Sequence, residues 1–299
     1  MDSEKQYIDL YKECSLMIKS HSAAPLNDVR DKAFDDFRRL GFPSRKFERY
    51  KYTDMQALFE PNYGLNLNRL DIPVNPYDAF RCDVPNLSTS LYFVVNDSFY
   101  TKVLPKGHLP EGVIVDSLSA VAAKSPEVIA RYYAKIAKTD DDAVTALNTM
   151  LAQDGLLVYV PRNVKVDRAI QVINILRSDV DLMVNRRVLI ILEQGAEAKF
   201  LFCDHAADDR HFLVTQVIEA YVGDNASLDL YCMEETHYKN NRVSNVYIEQ
   251  QANSRVNHNV ITLHNGVTRN RADLVFKGEG AECNMCGCVI ASKNQHVDN

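Results

Sequence analysis

Four short turn sequences recur through the second half of the chain and constrain what it can fold into. They are Gln194-Gly195-Ala196-Glu197, Asp224-Asn225-Ala226-Ser227, Gln250-Gln251-Ala252-Asn253 and Glu279-Gly280-Ala281-Glu282. Measured at the alanine, the steps are 30, 26 and 29 residues. Each turn joins two β-rich stretches, such as Val188-Leu189-Ile190-Ile191-Leu192 before the first and Lys199-Phe200-Leu201-Phe202 after it. A repeat of this length, with strands on both sides of a small-residue turn, predicts stacked β-coils that bury their apolar faces only against one another.

Strand side chains alternate faces, so positions an even number beyond each alanine share one side. Two positions on, the column reads Ala198, Leu228, Ser254, Cys283; four on, Phe200, Leu230, Val256, Met285; six on, Phe202, Cys232, His258, Gly287. The first two columns are mostly apolar and should face inward, stacked coil upon coil. The odd column Lys199, Asp229, Arg255, Asn284 belongs to solvent. The expected fold is a mainly β parallel β-helix with a packed interior, a charged exterior and no pore. An open coil end exposes backbone groups that can recruit another chain.

Upstream the pattern changes. Residues 3–20 place Ile8, Tyr11, Leu16 and Ile18 on a helical stripe. A second helix is expected with Asn27 as its cap, Val29, Ala33, Phe34, Phe37 and Leu40 on its apolar face, and Gly41 then Pro43 ending it. Residues 59–85 carry prolines 61, 73, 76 and 85 and read as an extended connector. Strands are expected at 91–95 and 113–115, and helices from Ser125-Pro126 to Tyr133 and from Asp140 to Leu151. The expected division is a helical region with connector over 1–85, a mixed α/β region over 86–154 and the β-helix over 155–299.

The balance of charge limits function. A net charge of −6 argues against a general nucleic-acid binder. The longest pure aliphatic run, Val188 to Leu192, is far short of a membrane span, and charges at Asp2, Glu4, Lys5 and Asp9 interrupt any signal-peptide core. Seven cysteines spread along the chain suit a reducing cytoplasm better than a disulfide framework.

The sharpest local pattern is Cys283-x2-Cys286-x-Cys288, with His296 nearby, a spacing of the kind that can hold zinc or an iron–sulfur cluster. The strand register opposes it, because Cys283 should face inward while Cys286 and Cys288 face outward. Cys203 and Cys288 share an outer column with two coils between them. Histidines 205, 211, 237, 258 and 264 lack helical metal-site spacing, and His258 reads as a buried, hydrogen-bonded histidine. Arg45, Lys46, Arg49 and Lys51 interleave with Phe47, Tyr50 and Tyr52. This reads as a docking segment, aromatics buried and charges at the rim, rather than a base-stacking site. No residue is assigned a catalytic, cofactor-binding or metal role.

The segment Gly41-Phe42-Pro43-Ser44-Arg45-Lys46-Phe47-Glu48-Arg49-Tyr50-Lys51-Tyr52-Thr53-Asp54 resembles the Gly-x-Pro…Glu-x-Trp-x-Tyr-Thr stretch of the SufB/SufD family, most closely its SufD branch. Tyr50 stands where the family has tryptophan. The likeness continues at residues 154–161, at the Glu193-Gln194-Gly195-Ala196 turn and from Gly278 to Asn299. The resemblance implies a right-handed parallel β-helix behind an N-terminal α-helical region. It also implies a non-enzymatic scaffold subunit of iron–sulfur cluster assembly. Such a subunit would pair with a SufB-like subunit and dock a SufC-like ABC ATPase through a C-terminal helical segment. The cluster would then belong to the assembled complex and ATP to the partner. Family members extend past the position of Asn299, so the last coils and the docking segment are expected to be missing, and homodimerisation is possible. The competing expectations are a β-helix carbohydrate-active enzyme and a metal-binding protein using the late cysteines.

Overall fold

The computed structural model describes residues 3–79, 88–102, 109–292 and 295–299. The first of these segments is helical, with α1 (Ser3–Ser20), α2 (Ala24–Asn27), α3 (Arg30–Leu40), a 3-10 turn at Glu48–Tyr50, α4 (Met55–Phe59) and α5 (Pro76–Ala79). Three more helices, α6 (Leu118–Lys124), α7 (Pro126–Tyr132) and α8 (Ala143–Leu151), precede the main run of strands. The proposed division at 85/86 lies outside the described residues.

Two seven-stranded sheets stack side by side. The first holds β1 (Thr89–Val95), β2 (Ser98–Phe99), β5 (Ala169–Leu176), β7 (Glu197–Ala206), β9 (Ser227–Glu235), β11 (Arg255–His264) and β13 (Glu282–Val289). The second holds β3 (Ile114–Ser117), β4 (Leu156–Val160), β6 (Leu182–Leu192), β8 (Phe212–Val222), β10 (Asn240–Gln250), β12 (Val267–Phe276) and β14 (His296–Asp298). From β4 onward the chain alternates between the sheets, and each strand pairs in parallel with the one two places on. The fold is therefore the stacked parallel coil that the repeat predicts. Stacking reaches back to β1, which pairs in parallel with β5 and in antiparallel with β2.

The turn that paces the coils is a column of left-handed residues: Asn163 (φ 59°), Gly195 (70°), Asn225 (57°), Asn253 (54°) and Gly280 (71°). Asparagine and glycine tolerate this conformation best. Each of the first four donates its N–H to a carbonyl of the next turn, Gln194, Asp224, Ala252 and Glu279 in order. The alanine pacing is off by two residues in one coil. Ser254, not Ala252, pairs across from Ala226, so Val256 stacks on Leu228 and His258 on Leu230. Ser254 fits this buried slot because its hydroxyl donates to the Gln251 carbonyl at 2.7 Å. A shift of two keeps every side chain on its expected face. It also makes the outer ladder Lys199, Asp229, Asn257, Asn284, with Asn257 donating to Asp229 at 2.7 Å and Asn284 to Asn257 at 3.0 Å. A Cβ on Gly195 would lie 2.4 Å from Asn163 Oδ1. Gly195→Ala should therefore cost about 1–2 kcal/mol and Asn225→Gly well under that, read as shifts in urea midpoint.

The two sheets differ outside the coil. The second is covered by the helices: Met183, Leu213 and Val243 pack under α1, α3, α4 and α8, and Leu157, Leu189 and Ile191 under α6 and α7. Every residue of β6 is consequently buried, whereas β9 alternates. Helix α8 is buried on all sides although it carries Thr145, Asn148 and Thr149. Each is bonded: Thr145 to Tyr247, Asn148 to the Arg186 and Thr215 carbonyls, Thr149 to Arg187. The Arg30 guanidinium donates to the Thr149 and Met150 carbonyls at the C-terminal end of α8. The expected Asn27 cap is not formed. α3 starts at Arg30 without a side-chain cap, because Asn27 is held by the Lys19 carbonyl and by Arg30 Nε. Gly41 (φ 60°) does end α3, its N–H on the Phe37 carbonyl.

Candidate functional site

The interior of the coil has an apolar half and a polar half. Val188, Ile190, Leu192, Phe200, Phe202, Ile218, Leu228, Leu230, Ile248 and Val256 fill the first. The strand register then brings Asn174, Asp204, Glu234 and Thr262 into one column, and Arg186, Gln216, Ser244 and Asn270 into another. Asp204 accepts from Asn174 Nδ2 (2.8 Å) and Arg186 Nη1 (2.7 Å) and also pairs with Arg242. Arg242 Nε lies 3.3 Å from Glu234, which accepts from Thr262 Oγ1 (2.7 Å) and Asn270 Nδ2 (3.1 Å). All four charged groups are buried. The mostly apolar columns expected for the interior do not extend into this half. The even-offset reading stopped six positions beyond each alanine, and Asp204 and Glu234 stand at eight.

Such a seam does not present carboxylates to solvent for acid–base work. Its members are tied to arginines and amides, and a buried network of this kind fixes register because a slip would strand its charges. Burial pulls the Arg186 and Arg242 guanidinium groups down, to about 9. Burial also pushes the Glu234 carboxyl above its ordinary 4.5, opposed by the bonds from Thr262 and Asn270. A raised folded value means that the folded chain keeps this proton to higher pH than the unfolded one. Its contribution to stability is complete below the unfolded value and is lost as pH rises through the folded value. The stability of Glu234→Gln relative to the parent should therefore rise with pH from about pH 4.5 upward in urea unfolding. A pH-independent difference would contradict this.

The interior opens toward the last strands as a cavity of about 160 Å³ lined by Cys232, Glu234, Arg242, His258, Met285 and Gly287. His258 is buried there with a low pKa caused by desolvation, partly offset by a backbone bond at Leu230. β13 and β14 end the two sheets. Around them Val275, Phe276, Met285, Val289 and Ile290 stand exposed.

The three late cysteines lie on the faces that the alternation predicts. Cys283 packs against the interior cluster, while Cys286 and Cys288 are exposed. Met233 and Ile261 separate Cys203 from Cys288 in the outer column. Of the histidines, His237 and His264 approach with ring centroids 6.2 Å apart, His237 lies 3.3 Å from Asp209, and His264 contacts Gln295. Among the described residues no group of three or more His, Cys, Asp or Glu side chains is arranged to hold a metal ion.

The segment at 41–54 locks onto the second sheet. Tyr50 is 5% exposed, its hydroxyl donates to Asp142, and the Arg269 guanidinium sits 4.2 Å from its ring centroid. Arg269 also donates to the Arg49 carbonyl, and Thr53 Oγ1 donates to Asp298 at 2.7 Å. Asp142 caps α8 through Thr145 N–H and accepts from Asn245 Nδ2 and Arg271 Nη1, both at 3.0 Å. Of Phe47, Tyr50 and Tyr52 only Tyr50 is buried, contrary to expectation, because it alone of the three reaches this hub. Phe47 and Tyr52 are 64% and 63% exposed. Asp142, Arg269 and Arg271 were not legible as partners, being far from the segment in sequence.

Comparison with known proteins agrees with this architecture. Residues 1–172 match the family model described as SufBD protein N-terminal region, and residues 174–299 that described as SUF system FeS cluster assembly, SufBD core domain. Two similar Arabidopsis thaliana proteins are the iron-sulfur cluster assembly SufBD family proteins ABCI9, 27% identical, and ABCI8, chloroplastic, 28% identical. Each alignment covers 67% of this chain, with 46% and 38% of the respective relative. A Staphylococcus epidermidis SufBD family protein is 25% identical over 63% of this chain and 40% of its own length. The chain thus spans about half the length, or less, of these relatives.

Proposed function

Because this chain belongs to the SufB/SufD family of iron–sulfur cluster assembly proteins, we propose that it is a non-enzymatic scaffold subunit, closest to the SufD branch. It pairs with a SufB-like subunit and works with a SufC-like ABC ATPase in the cytoplasm. The nascent cluster is cargo of the assembled complex, and ATP is bound and hydrolysed by the partner. The observation that carries this reading is the stacked parallel coil behind a helical region, matched over residues 1–172 and 174–299 by the two SufBD family models. The buried seam supports a rigid, register-fixed rod rather than a reaction centre. Among the described residues no helix is long and apolar enough to cross a membrane.

The test is co-expression of a version extended to the length of its relatives with SufB-like and SufC-like proteins. Recovery of a stoichiometric complex that accepts a cluster under anaerobic reconstitution is expected. Failure of the three chains to co-purify would overturn the assignment.

A further inference from the structure

We propose that the ridge formed by residues 45–52 is a docking surface for an acidic segment of a partner protein that also carries apolar side chains. The inference is independent of the cluster-assembly reading. The ridge is held from beneath by Tyr50, by Arg269 on the Arg49 carbonyl and by the Arg45 Nε bond to the Lys51 carbonyl. Phe47 and Tyr52 are therefore displayed by a fixed backbone, and rigid aromatics lose little conformational entropy on binding.

A cleft lies on each side. One, about 460 Å³, is lined by Leu40, Pro43, Phe47, Tyr50 and Asp141 among others. The other, about 410 Å³, is lined by Arg45, Tyr52, Ala57, Leu58 and Val267 among others. Each cleft thus combines an exposed aromatic with apolar wall, which suits an inserted apolar side chain.

Charge selects the occupant. Within 45–52, Arg45, Lys46, Arg49 and Lys51 face a single acid, Glu48, although the whole chain carries −6. Arg49–Asp141 and Lys51–Glu48 are loose exposed pairs at 3.8 Å, worth little in water. Arg45 and Lys46 form no ion pair with the described residues. Asp54 and Asp141 on the cleft walls would repel a continuous anionic lipid surface or a nucleic-acid backbone. A peptide can space its carboxylates between them.

The experiment is fluorescence anisotropy of the whole chain with a short labelled peptide of alternating glutamate and leucine, beside the same peptide with glutamine for glutamate. Saturable binding of the acidic peptide is expected, with weaker binding of the glutamine form. Phe47→Ala with Tyr52→Ala should weaken binding at least about tenfold. Lys46→Gln with Lys51→Gln should weaken it several-fold and flatten its salt dependence. Both pairs are exposed, so melting by circular dichroism should not change, and each pair tests the surface separately. Absence of saturable binding, equal affinity for the glutamine peptide, or indifference to both pairs would overturn the proposal. So would tighter binding of oligodeoxythymidylate or phosphatidylserine vesicles.

Discussion

Replacing Glu219 by alanine is expected to destabilise the chain by about 3–5 kcal/mol, the loss typical when one member of a buried ion pair is removed. Glu219 and Arg187 are both fully buried, between the outer face of the second sheet and the helices covering it, with Oε2 2.5 Å from Nη2. The carboxylate also accepts the backbone N–H groups of Ala134, Ile136 and Ala137, which fixes the loop after α7. Alanine takes the carboxylate from the Arg187 guanidinium, which keeps only its neutral partners Asn148 and Thr149 among those described, and leaves three backbone donors without that acceptor in a buried site. Arg187 stays stacked on Tyr133, 4.6 Å from the ring centroid, but that contact does not replace the lost charge. Glu219→Leu with Arg187→Met, which removes both charges, should lose less than Glu219→Ala alone. Urea unfolding of the three proteins checks this. A double variant no more stable than the single would show that packing or the loop, not the stranded charge, sets the cost.

The second large effect is expected inside the coil. Asp204→Ala leaves Arg186 and Arg242 with one remaining carboxylate, Glu234, whose own charged form burial disfavours. The expected loss is again about 3–5 kcal/mol. It should appear with increased amide exchange in β6, β8 and β10, since the seam holds those strands in register. Asp204→Asn keeps a hydrogen-bonding group of the same shape without the charge and should fall between alanine and the parent. Equal behaviour of Asn and the parent would mean that the interior needs only a polar acceptor there.

These two sites show where reading the chain alone stopped. The odd-numbered strands from β7 to β11 expose their outer face, so they carry the alternation in their letters, and inward Phe200, Leu228 and Leu230 were legible from it. Asp204 and Glu234 obey the same parity, and one more column would have placed them inside. Their arginine partners would not have followed, because Arg186 and Arg242 lie on the opposite sheet. Arg186 and Arg187 are neighbours that point to opposite faces, and both are buried. No local pattern distinguishes that from one buried and one solvated arginine. The difference depends on helices from the first part of the chain covering the second sheet.

The docking segment follows the same division. Its aromatic and basic composition was plain, but which aromatic anchors and which remain exposed depended on Asp142, Arg269 and Arg271, brought together only by folding.

The repeat by itself determined the stacked coil, the inward and outward faces, and the separation of Cys283 from Cys286 and Cys288. These follow from the two-residue period of a strand and from turns that require glycine or asparagine, both local properties of the backbone. Tertiary structure alone decided the coil-to-coil register at Ser254, the charged seam inside the rod, the helical cover over one sheet and the exposed ridge at Phe47 and Tyr52. Each depends on groups distant in sequence meeting in a place without water, where an unpaired charge is costly and only the assembled fold supplies the partner.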